Sequence, residues 1–289
     1  MNCPLCGRSG LSEWARSGAY SVLFCSDCRM GMTSPLPTED DLARVNAENY
    51  RVEDRITAYL DREKMFELRY EGVLRRIGAF RDKGRLLDIG CNIGKFLDVA
   101  KRRNYETTGV EINSACAEFG RKKFGLEIHD RPLNSIGFPT SHFDVVTLFD
   151  VLEHIPDGGS FLAEIRRILK PDGLLVVQLP NLESSMAELT RKDWYWLAMP
   201  DHIFHFTPKS IVEYLSKFGF SILKVRTWDV SVDFANNVLT TIGPSGFFGR
   251  CLRYLLRISR LIEFIIRIQQ QSRLKIEKGA LIEVYGRPS

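Results

Sequence analysis

The stretch Arg85-Leu-Leu-Asp-Ile-Gly-Cys-Asn-Ile-Gly94 decides the fold, together with Thr108-Gly-Val-Glu111, which follows it. The apolar residues after Arg85 predict a buried strand, and those after Gly94 recur at helical spacing. Gly90 and Gly94 permit a close approach of the main chain where a Cβ atom would clash. A strand, a glycine loop, a helix and a second strand that ends in an acid are typical of nucleotide-binding α/β folds.

The residues of the loop narrow the choice of cofactor. A dinucleotide fingerprint would have glycine at positions 92 and 95, where this chain has Asn92 and Lys95. No Gly-Lys-Ser/Thr follows the loop, so a Walker A phosphate site is also excluded. Asn92 suits the loop because asparagine accepts a positive φ better than other non-glycine residues. The two carboxylate oxygens of Glu111 can accept hydrogen bonds from both hydroxyls of a ribose.

The loop resembles the Asp-x-Gly-x-Gly-x-Gly loop of class I S-adenosylmethionine (SAM) methyltransferases, with Asn92 in place of the middle glycine. Downstream, the strand Phe143–Asp150 leads into Val151-Leu-Glu-His-Ile-Pro156, which is similar to the segment after the fourth strand in that family. An uncharged strand, Leu174–Leu179, follows the turn Lys170-Pro-Asp-Gly173. The resemblance implies an α/β, Rossmann-like class I methyltransferase fold with a seven-stranded sheet, and SAM as the cofactor.

The resemblance also implies a set of cofactor-binding residues at the ends of the strands. Asp130 follows the third strand, where related enzymes place an acid that accepts a hydrogen bond from the adenine amine. Carried over residue by residue, the expected SAM-binding residues are Asp88, Gly90, Asn92, Gly94, Glu111, Ile112, Asp130, Phe149 and Asp150.

Two Cys-x-x-Cys pairs near the start of the chain predict a metal site formed by Cys3, Cys6, Cys25 and Cys28. Four thiolates in a tetrahedral array are typical of structural Zn²⁺, and they leave no open position for catalysis. The pattern resembles a zinc ribbon; an iron site or two redox pairs are the alternatives. Gly7 and Gly31 are expected to supply the positive φ that the two metal-binding turns need.

The chain divides by composition into three predicted domains. Residues 1–35 form the zinc-ribbon module, 36–80 a helical linker or cap, and 81–289 the methyltransferase domain. Within the last domain, 181–207 is an aromatic insertion expected on the substrate side, and 240–275 is a basic amphipathic helical insertion.

The amphipathic insertion suggests contact with a membrane. Within 247–268, apolar residues and arginines recur at helical spacing, which favours a helix on the surface of anionic lipid. The alternative is a helix packed on its own domain or on a second subunit of a homodimer. The sequence has no apolar run of spanning length and no secretory signal, and four of its seven cysteines are paired for a metal. These features predict a cytoplasmic protein, peripheral at the inner membrane surface if the helix meets lipid.

Methyl transfer to a hydroxyl or a carbon acid needs a base, and histidine fits this task because its pKa lies near neutrality. His202 is the first candidate and His154 the second, with His205 also in the insertion. The segment His202-Ile-Phe-His-Phe-Thr207 is similar to one in sugar C-methyltransferases that carry an N-terminal zinc module, where the histidine faces the substrate.

The sequence therefore predicts a SAM-dependent methyltransferase that modifies an O or C atom of a small-molecule or lipid-linked acceptor. A sugar, a polysaccharide intermediate and a quinone-like ring all fit this description. The alternatives are a zinc-ribbon RNA methyltransferase and a non-catalytic SAM-binding scaffold. The net charge of +4 argues against nucleic acid as a partner, because phosphate binding requires a strongly basic surface.

Overall fold

The computed structural model of the protein describes residues 2–42, 44, 52–228 and 278–289. The predicted insertion 240–275 and the predicted membrane-contact helix 247–268 within it lie outside the described residues. Among the residues that are described, no helix combines the length and the hydropathy that are needed to cross a bilayer.

The described chain divides into two compact units, which we call the cysteine unit and the core unit. The cysteine unit takes its described residues from Met1–Glu48, Leu179–Tyr214 and Arg226–Glu283, and the core unit from Asn49–Gln178, Leu215–Val225 and Val284–Ser289. These boundaries differ from those of the three predicted domains, because the N-terminal segment shares a unit with the predicted insertion 181–207.

Eleven strands are found within the described ranges. They are β1 (Ser12–Ser17), β2 (Tyr20–Phe24), β3 (Gly31–Ser34), β4 (Gly84–Ile89), β5 (Tyr105–Val110), β6 (Glu127–His129), β7 (Phe143–Phe149), β8 (Leu169–Pro180), β9 (Phe204–His205), β10 (Phe220–Trp228) and β11 (Leu281–Pro288). The helices described are α1 (Val52–Asp61), α2 (Glu63–Gly78), α3 (Lys95–Arg102), α4 (Ser114–Phe124), α5 (Gly158–Ile168), α6 (Ser185–Thr190) and α7 (Pro208–Lys217).

The larger sheet has the order β10-β11-β8-β7-β4-β5-β6 among the described strands. Strand β4 pairs in parallel with both β5 and β7, so the chain order reverses on either side of β4. In such sheets ligands bind at the carboxyl ends of the strands near this switch point. The prediction of a Rossmann-like α/β fold with a seven-stranded sheet is confirmed.

Apolar residues on both faces of the central strands explain why this sheet is buried. Strands β4, β7 and β8 contain nearly continuous runs of buried residues, as expected for parallel strands that are covered by helices on both sides. The hydrophobic core of the unit continues into α2 and α3, with Tyr70, Ile77 and Phe96 among its buried members. The core thereby fixes the strand ends that carry the predicted cofactor residues.

The smaller sheet lies in the cysteine unit and has the order β1-β2-β3-β9. Strand β3 pairs antiparallel with β9, with Gly31 opposite His205 and Met32 opposite Phe204. The fourth strand of the sheet therefore comes from the insertion 181–207, which the sequence alone does not connect to the N-terminal module.

The stretch Lys170–Gly173, predicted as a turn before the fifth strand, lies inside β8. It interrupts the pairing of β8 with β7, because Leu169 is opposite Phe143 whereas Leu174 is opposite Val145. Strand β8 has more residues than β7 between these two pairs, so the register of the pairing shifts there. The predicted turn is therefore an irregularity within a strand that begins earlier than expected.

Candidate functional site

The loop after β4 has the left-handed backbone that its sequence predicts. Gly90 has a φ of 74°, Asn92 of 52° and Gly94 of 78°. A Cβ atom added at Gly90 would lie 2.5 Å from Val151 Cγ2, and one at Gly94 would lie 2.5 Å from Leu126 Cδ1. Glycine is therefore required at both positions for conformation and for space.

Asn92 stabilises its own turn in this loop. Its side-chain Oδ1 accepts a hydrogen bond from the main-chain N–H of Ile93 at 2.8 Å. The asparagine that replaces the middle glycine thus holds the left-handed conformation with its own side chain, in keeping with the tolerance of asparagine for a positive φ.

Glu111 closes this loop from the neighbouring strand. Its carboxylate accepts from the main-chain N–H of Asn92 and from that of Asn113, each at 2.8 Å. The side chain is buried, and each carboxylate oxygen has a second lone pair for another donor. The structure thus brings together the glycine loop and the acid that the sequence assigns to a ribose.

Asp88 is a second buried acid, near the end of β4. Thr147 on β7 donates to its Oδ1 at 2.6 Å. Burial raises the pKa of Asp88 to about 7; the Thr147 hydrogen bond opposes this rise and the carboxylate of Glu111 adds to it. A cation placed beside Asp88 would favour its charged form, because an opposite charge within a few ångströms lowers the pKa of a carboxyl group.

Ile112 and Asp130 lie just beyond the carboxyl ends of β5 and β6. Ile112 is 73% exposed, which leaves its apolar side chain available to cover a flat ring at this edge. The carboxylate of Asp130 accepts from Arg121 at 3.2 Å, and this contact holds the pKa of Asp130 below its usual range. A hydrogen bond joins the carboxyl ends of β5 and β6: the N–H of Glu111 donates to the carbonyl of His129 at 2.9 Å.

Phe149 is the last residue of β7, which pairs with β4, and Asp150 follows it. The ring of Phe149 meets that of Phe96 edge to face, with centroids 4.9 Å apart. Asp150 has a positive φ of 57°, and Gln178 donates to its Oδ2 at 3.5 Å. Burial raises the pKa of Asp150, and its Oδ1 is buried without a hydrogen-bond partner among the described residues. A buried carboxyl oxygen of this kind needs a hydrogen-bond donor, which a ligand or a water molecule can supply.

A ladder of ion pairs between α2 and α3 is a feature that sequence reasoning missed. Lys95, only 6% exposed, donates to Glu63 at 2.8 Å and to Asp98 at 3.1 Å. Further along the same two helices, Glu67 pairs with Arg102, and Glu71 pairs with Arg103. The available signal is the spacing of the three glutamates, four residues apart on one face of α2. The ladder fixes the helix that precedes the sheet against the helix that follows the glycine loop.

The four predicted metal ligands are gathered in the cysteine unit. The Sγ atoms of Cys3, Cys6, Cys25 and Cys28 all lie within 4.8 Å of one another. The Sγ atoms of Cys3 and Cys28 are 3.3 Å apart, and those of Cys6 and Cys25 are 3.6 Å apart. Tetrahedral zinc with bonds of about 2.3 Å places its sulfur ligands about 3.8 Å apart, so the thiols fit this ion.

The two Cys-x-x-Cys turns share one hydrogen-bond pattern. In the first, the N–H of Gly7 donates to the carbonyl of Cys3; in the second, the N–H of Arg29 donates to the carbonyl of Cys25. Gly7 has a φ of 76°, as predicted, but the matching residue of the second turn is Arg29, with a φ of 62°. The prediction that Gly31 supplies this backbone conformation was wrong.

Gly31 is needed for a different reason, which is space. A Cβ atom at this position would lie 2.8 Å from Leu182 Cδ2, 2.9 Å from Val22 Cγ1 and 3.0 Å from His205 Cβ. The absence of a side chain therefore lets β3 approach β9 and the chain around Leu182.

The candidate bases lie in different units. His154 ends a short 3-10 turn, Leu152–His154, after β7 in the core unit, and it is half-buried. His202 lies before β9 in the cysteine unit, where its side chain is buried and its main-chain N–H donates to the carbonyl of Ala198 at 2.9 Å. His205 is on β9 itself and is also buried.

Comparison with known proteins identifies the class to which this site belongs. Residues 62–225 match the family described as methyltransferase domain, which is more than half of the chain. The chain belongs to this family, and it is a SAM-dependent methyltransferase. The matched range contains the glycine loop, Glu111 and all three candidate histidines.

Curated relatives share part of their length with this chain. It is 28% identical over 179 residues to the ubiquinone biosynthesis O-methyltransferase of Caulobacter sp. (strain K31), a match that covers 55% of this chain and 71% of the relative. It is 35% identical over 101 residues to the protein of the same name from Bradyrhizobium sp. (strain ORS 278), a match that covers 34% of this chain and 40% of the relative. The second match thus spans less than half of that relative.

Solved structures show the same fold at low sequence identity. A SAM-dependent methyltransferase from Thermotoga maritima aligns with a TM-score of 0.57 and 18% identity, covering 86% of this chain and 100% of that one. A SAM-dependent methyltransferase from Archaeoglobus fulgidus aligns with a TM-score of 0.52 and 21% identity, covering 80% of this chain and 99% of that one.

Proposed function

We propose that this methyltransferase transfers the methyl group of SAM to an oxygen atom of a small or lipid-linked acceptor with a quinone-like ring. The observation that carries the proposal is the glycine loop closed onto Glu111, at the switch point of the sheet. The names of the curated relatives favour a quinone-type acceptor over a sugar or a polysaccharide intermediate. Transfer to carbon and an RNA acceptor stay alternatives from the sequence.

The proposed cofactor site follows from the donors and acceptors at the strand ends. Glu111 has lone pairs for the ribose hydroxyls, and the positive φ angles at Gly90 and Gly94 let the main chain approach the cofactor. Ile112 is the proposed cover for the adenine ring, and Asp130 is the proposed acceptor for its amine. Asp88, Asn92, Phe149 and Asp150 complete the proposed set.

When bound, SAM supplies an electrophilic methyl carbon whose transfer leaves S-adenosylhomocysteine. The protein orients the acceptor hydroxyl in line with that carbon and removes the proton of the hydroxyl. His202 is the first candidate for this base and His154 the second, because imidazole is neutral in part at physiological pH. Their different settings allow the two to be tested separately.

We further propose that Cys3, Cys6, Cys25 and Cys28 hold a structural Zn²⁺ ion. Their mutual distances support this assignment, as does the matching hydrogen-bond pattern of the two turns. All four thiolates would be bound to the ion, so none is left for catalysis. Peripheral contact with the inner membrane through 247–268, a cytoplasmic location and a homodimer stay predictions from the sequence.

The test is a transfer assay with radiolabelled SAM. The acceptors are a catechol with a polyprenyl chain, a short-chain catechol and a sugar nucleotide, each compared for the wild type, His202→Ala and His154→Ala. We expect label on the catechols, and a loss of turnover of at least about a hundredfold in one of the two variants. Label on the sugar nucleotide alone would overturn the quinone-type acceptor, and full activity in both variants would overturn His202 and His154 as the base.

A further inference from the structure

Thr33 links the strand that leaves the second cysteine turn to the histidine-bearing segment around β9. It lies on β3, a short distance beyond Cys28 in the chain, and its side chain is completely buried. Its main-chain N–H donates to the carbonyl of Ile203 at 2.9 Å. Its hydroxyl contacts two groups at once: the main-chain carbonyl of His202 at 2.6 Å and the ring Nε2 of His205 at 3.0 Å.

The proton on the Thr33 hydroxyl can be assigned from these two contacts. A carbonyl oxygen carries no hydrogen, so the short contact with the His202 carbonyl needs the hydrogen of Thr33. The hydroxyl has a single hydrogen, and it can therefore only accept from His205. Nε2 of His205 must then carry a hydrogen, which makes Nδ1 the acceptor atom in the neutral ring.

The same contact restrains the main chain of His202, which is the first candidate base. Thr33 holds the carbonyl of His202, the strand pairing holds Phe204 and His205, and the missing side chain at Gly31 lets the two strands close. Buried hydrogen bonds of this kind orient a functional side chain through its neighbours.

We propose that Thr33 is a positioning residue for the methyl-transfer reaction, acting through the main chain of His202 and the ring of His205. This inference rests on the proposed function, in which a histidine of this segment accepts the proton of the methyl acceptor. It also gives the cysteine module a role: its metal-binding turn leads directly into the strand that holds the histidine segment.

The experiment compares Thr33→Val, which keeps the shape and loses the hydroxyl, with Thr33→Ser, which keeps the hydroxyl. Ser21→Ala is the matched control, because it also removes a buried hydroxyl from the small sheet but one that donates to Glu13. The first readout is the ¹⁵N spectrum of the histidine rings in the zinc-loaded protein, with His205 assigned from the spectrum of His205→Asn. The second is the kinetics of methyl transfer to the catechol acceptor.

We expect His205 to carry its hydrogen on Nε2 in the wild type, Thr33→Ser and Ser21→Ala, and to lose this preference in Thr33→Val. We expect kcat to fall about tenfold in Thr33→Val, with the affinity for SAM unchanged and activity restored to within about threefold in Thr33→Ser. An identical His205 spectrum in Thr33→Val, or an unchanged kcat, would overturn the proposal. Absence of any transfer by the wild type would instead overturn the proposed function, and the spectra would still decide whether Thr33 orients His205.

Discussion

The buried carboxyl of Asp88 predicts a pH-dependent stability that the isosteric variant Asp88→Asn should remove. The side-chain amide of the variant would keep an oxygen that accepts from Thr147, so the main change is the loss of a titrating group. The pKa of an aspartate in an unfolded chain is about 3.9, whereas burial raises that of Asp88 to about 7 in the folded chain. The folded protein therefore holds a proton over a pH range in which the unfolded chain has lost it.

The sign of the effect follows from this difference. A raised pKa in the folded state contributes stability that is fully present below about pH 4 and is lost as the pH rises through about 7. Each tenfold change in proton affinity corresponds to about 1.4 kcal/mol, so the free energy of unfolding of Asp88→Asn should rise relative to the wild type by about 3 kcal/mol between pH 5 and pH 8.

The assay is urea unfolding followed by circular dichroism at pH 5, 6, 7 and 8 for the wild type and the variant. Asp130→Asn is the control, because Arg121 holds the pKa of Asp130 below its usual range. The free energy of unfolding of that variant should not change relative to the wild type between pH 5 and pH 8, because a lowered pKa affects stability only as the pH falls below this range. A difference between Asp88→Asn and the wild type that does not change with pH would refute the argument that burial governs Asp88.

Three further predictions concern the metal, the small sheet and the helix ladder. Cys28→Ser should reduce the zinc content of the purified protein from one ion per chain towards none, as measured by mass spectrometry of the metal; unchanged zinc would contradict the four-cysteine site. Gly31→Ala should lower the free energy of unfolding by about 1–3 kcal/mol because of the contacts that its Cβ would make, whereas Gly78→Ala, where a Cβ meets open space, should not. Lys95→Met should lower the free energy of unfolding in urea by about 2 kcal/mol, since it leaves Glu63 and Asp98 without their buried partner. An equal decrease in Lys122→Met, which breaks an exposed ion pair, would count against this reasoning.

The sequence was sufficient to predict the parts of the protein whose conformation depends on neighbouring residues in the chain. The strand, the glycine loop and Glu111 lie in one short stretch, from Arg85 to Glu111, and their conformation depends on φ preferences and strand burial. The spacing of the cysteines predicted the cluster for the same reason, because each pair occupies one turn.

What the sequence did not predict depends on pairing between distant residues. Thr33 and His205 are 172 positions apart, and nothing in either segment specifies the other as its partner. The positive φ at Arg29 was missed because the nearby glycine suggested a simpler explanation, whereas packing against Leu182 and His205 is what requires Gly31. Long-range contacts of this kind decide side-chain roles, and periodicity carries no information about them.

The most direct test of the account is calorimetric titration of the zinc-loaded protein with SAM and with S-adenosylhomocysteine. The wild type is compared with Glu111→Gln, which removes one acceptor oxygen at the glycine loop, and with Glu106→Gln, which changes an exposed acid near the start of β5 that pairs with Arg85. We predict dissociation constants of about micromolar for both ligands in the wild type and in Glu106→Gln, and an affinity at least about tenfold weaker in Glu111→Gln. Equal affinity in all three proteins would contradict the placement of the cofactor at Glu111, and absence of binding to the wild type would contradict the SAM site itself.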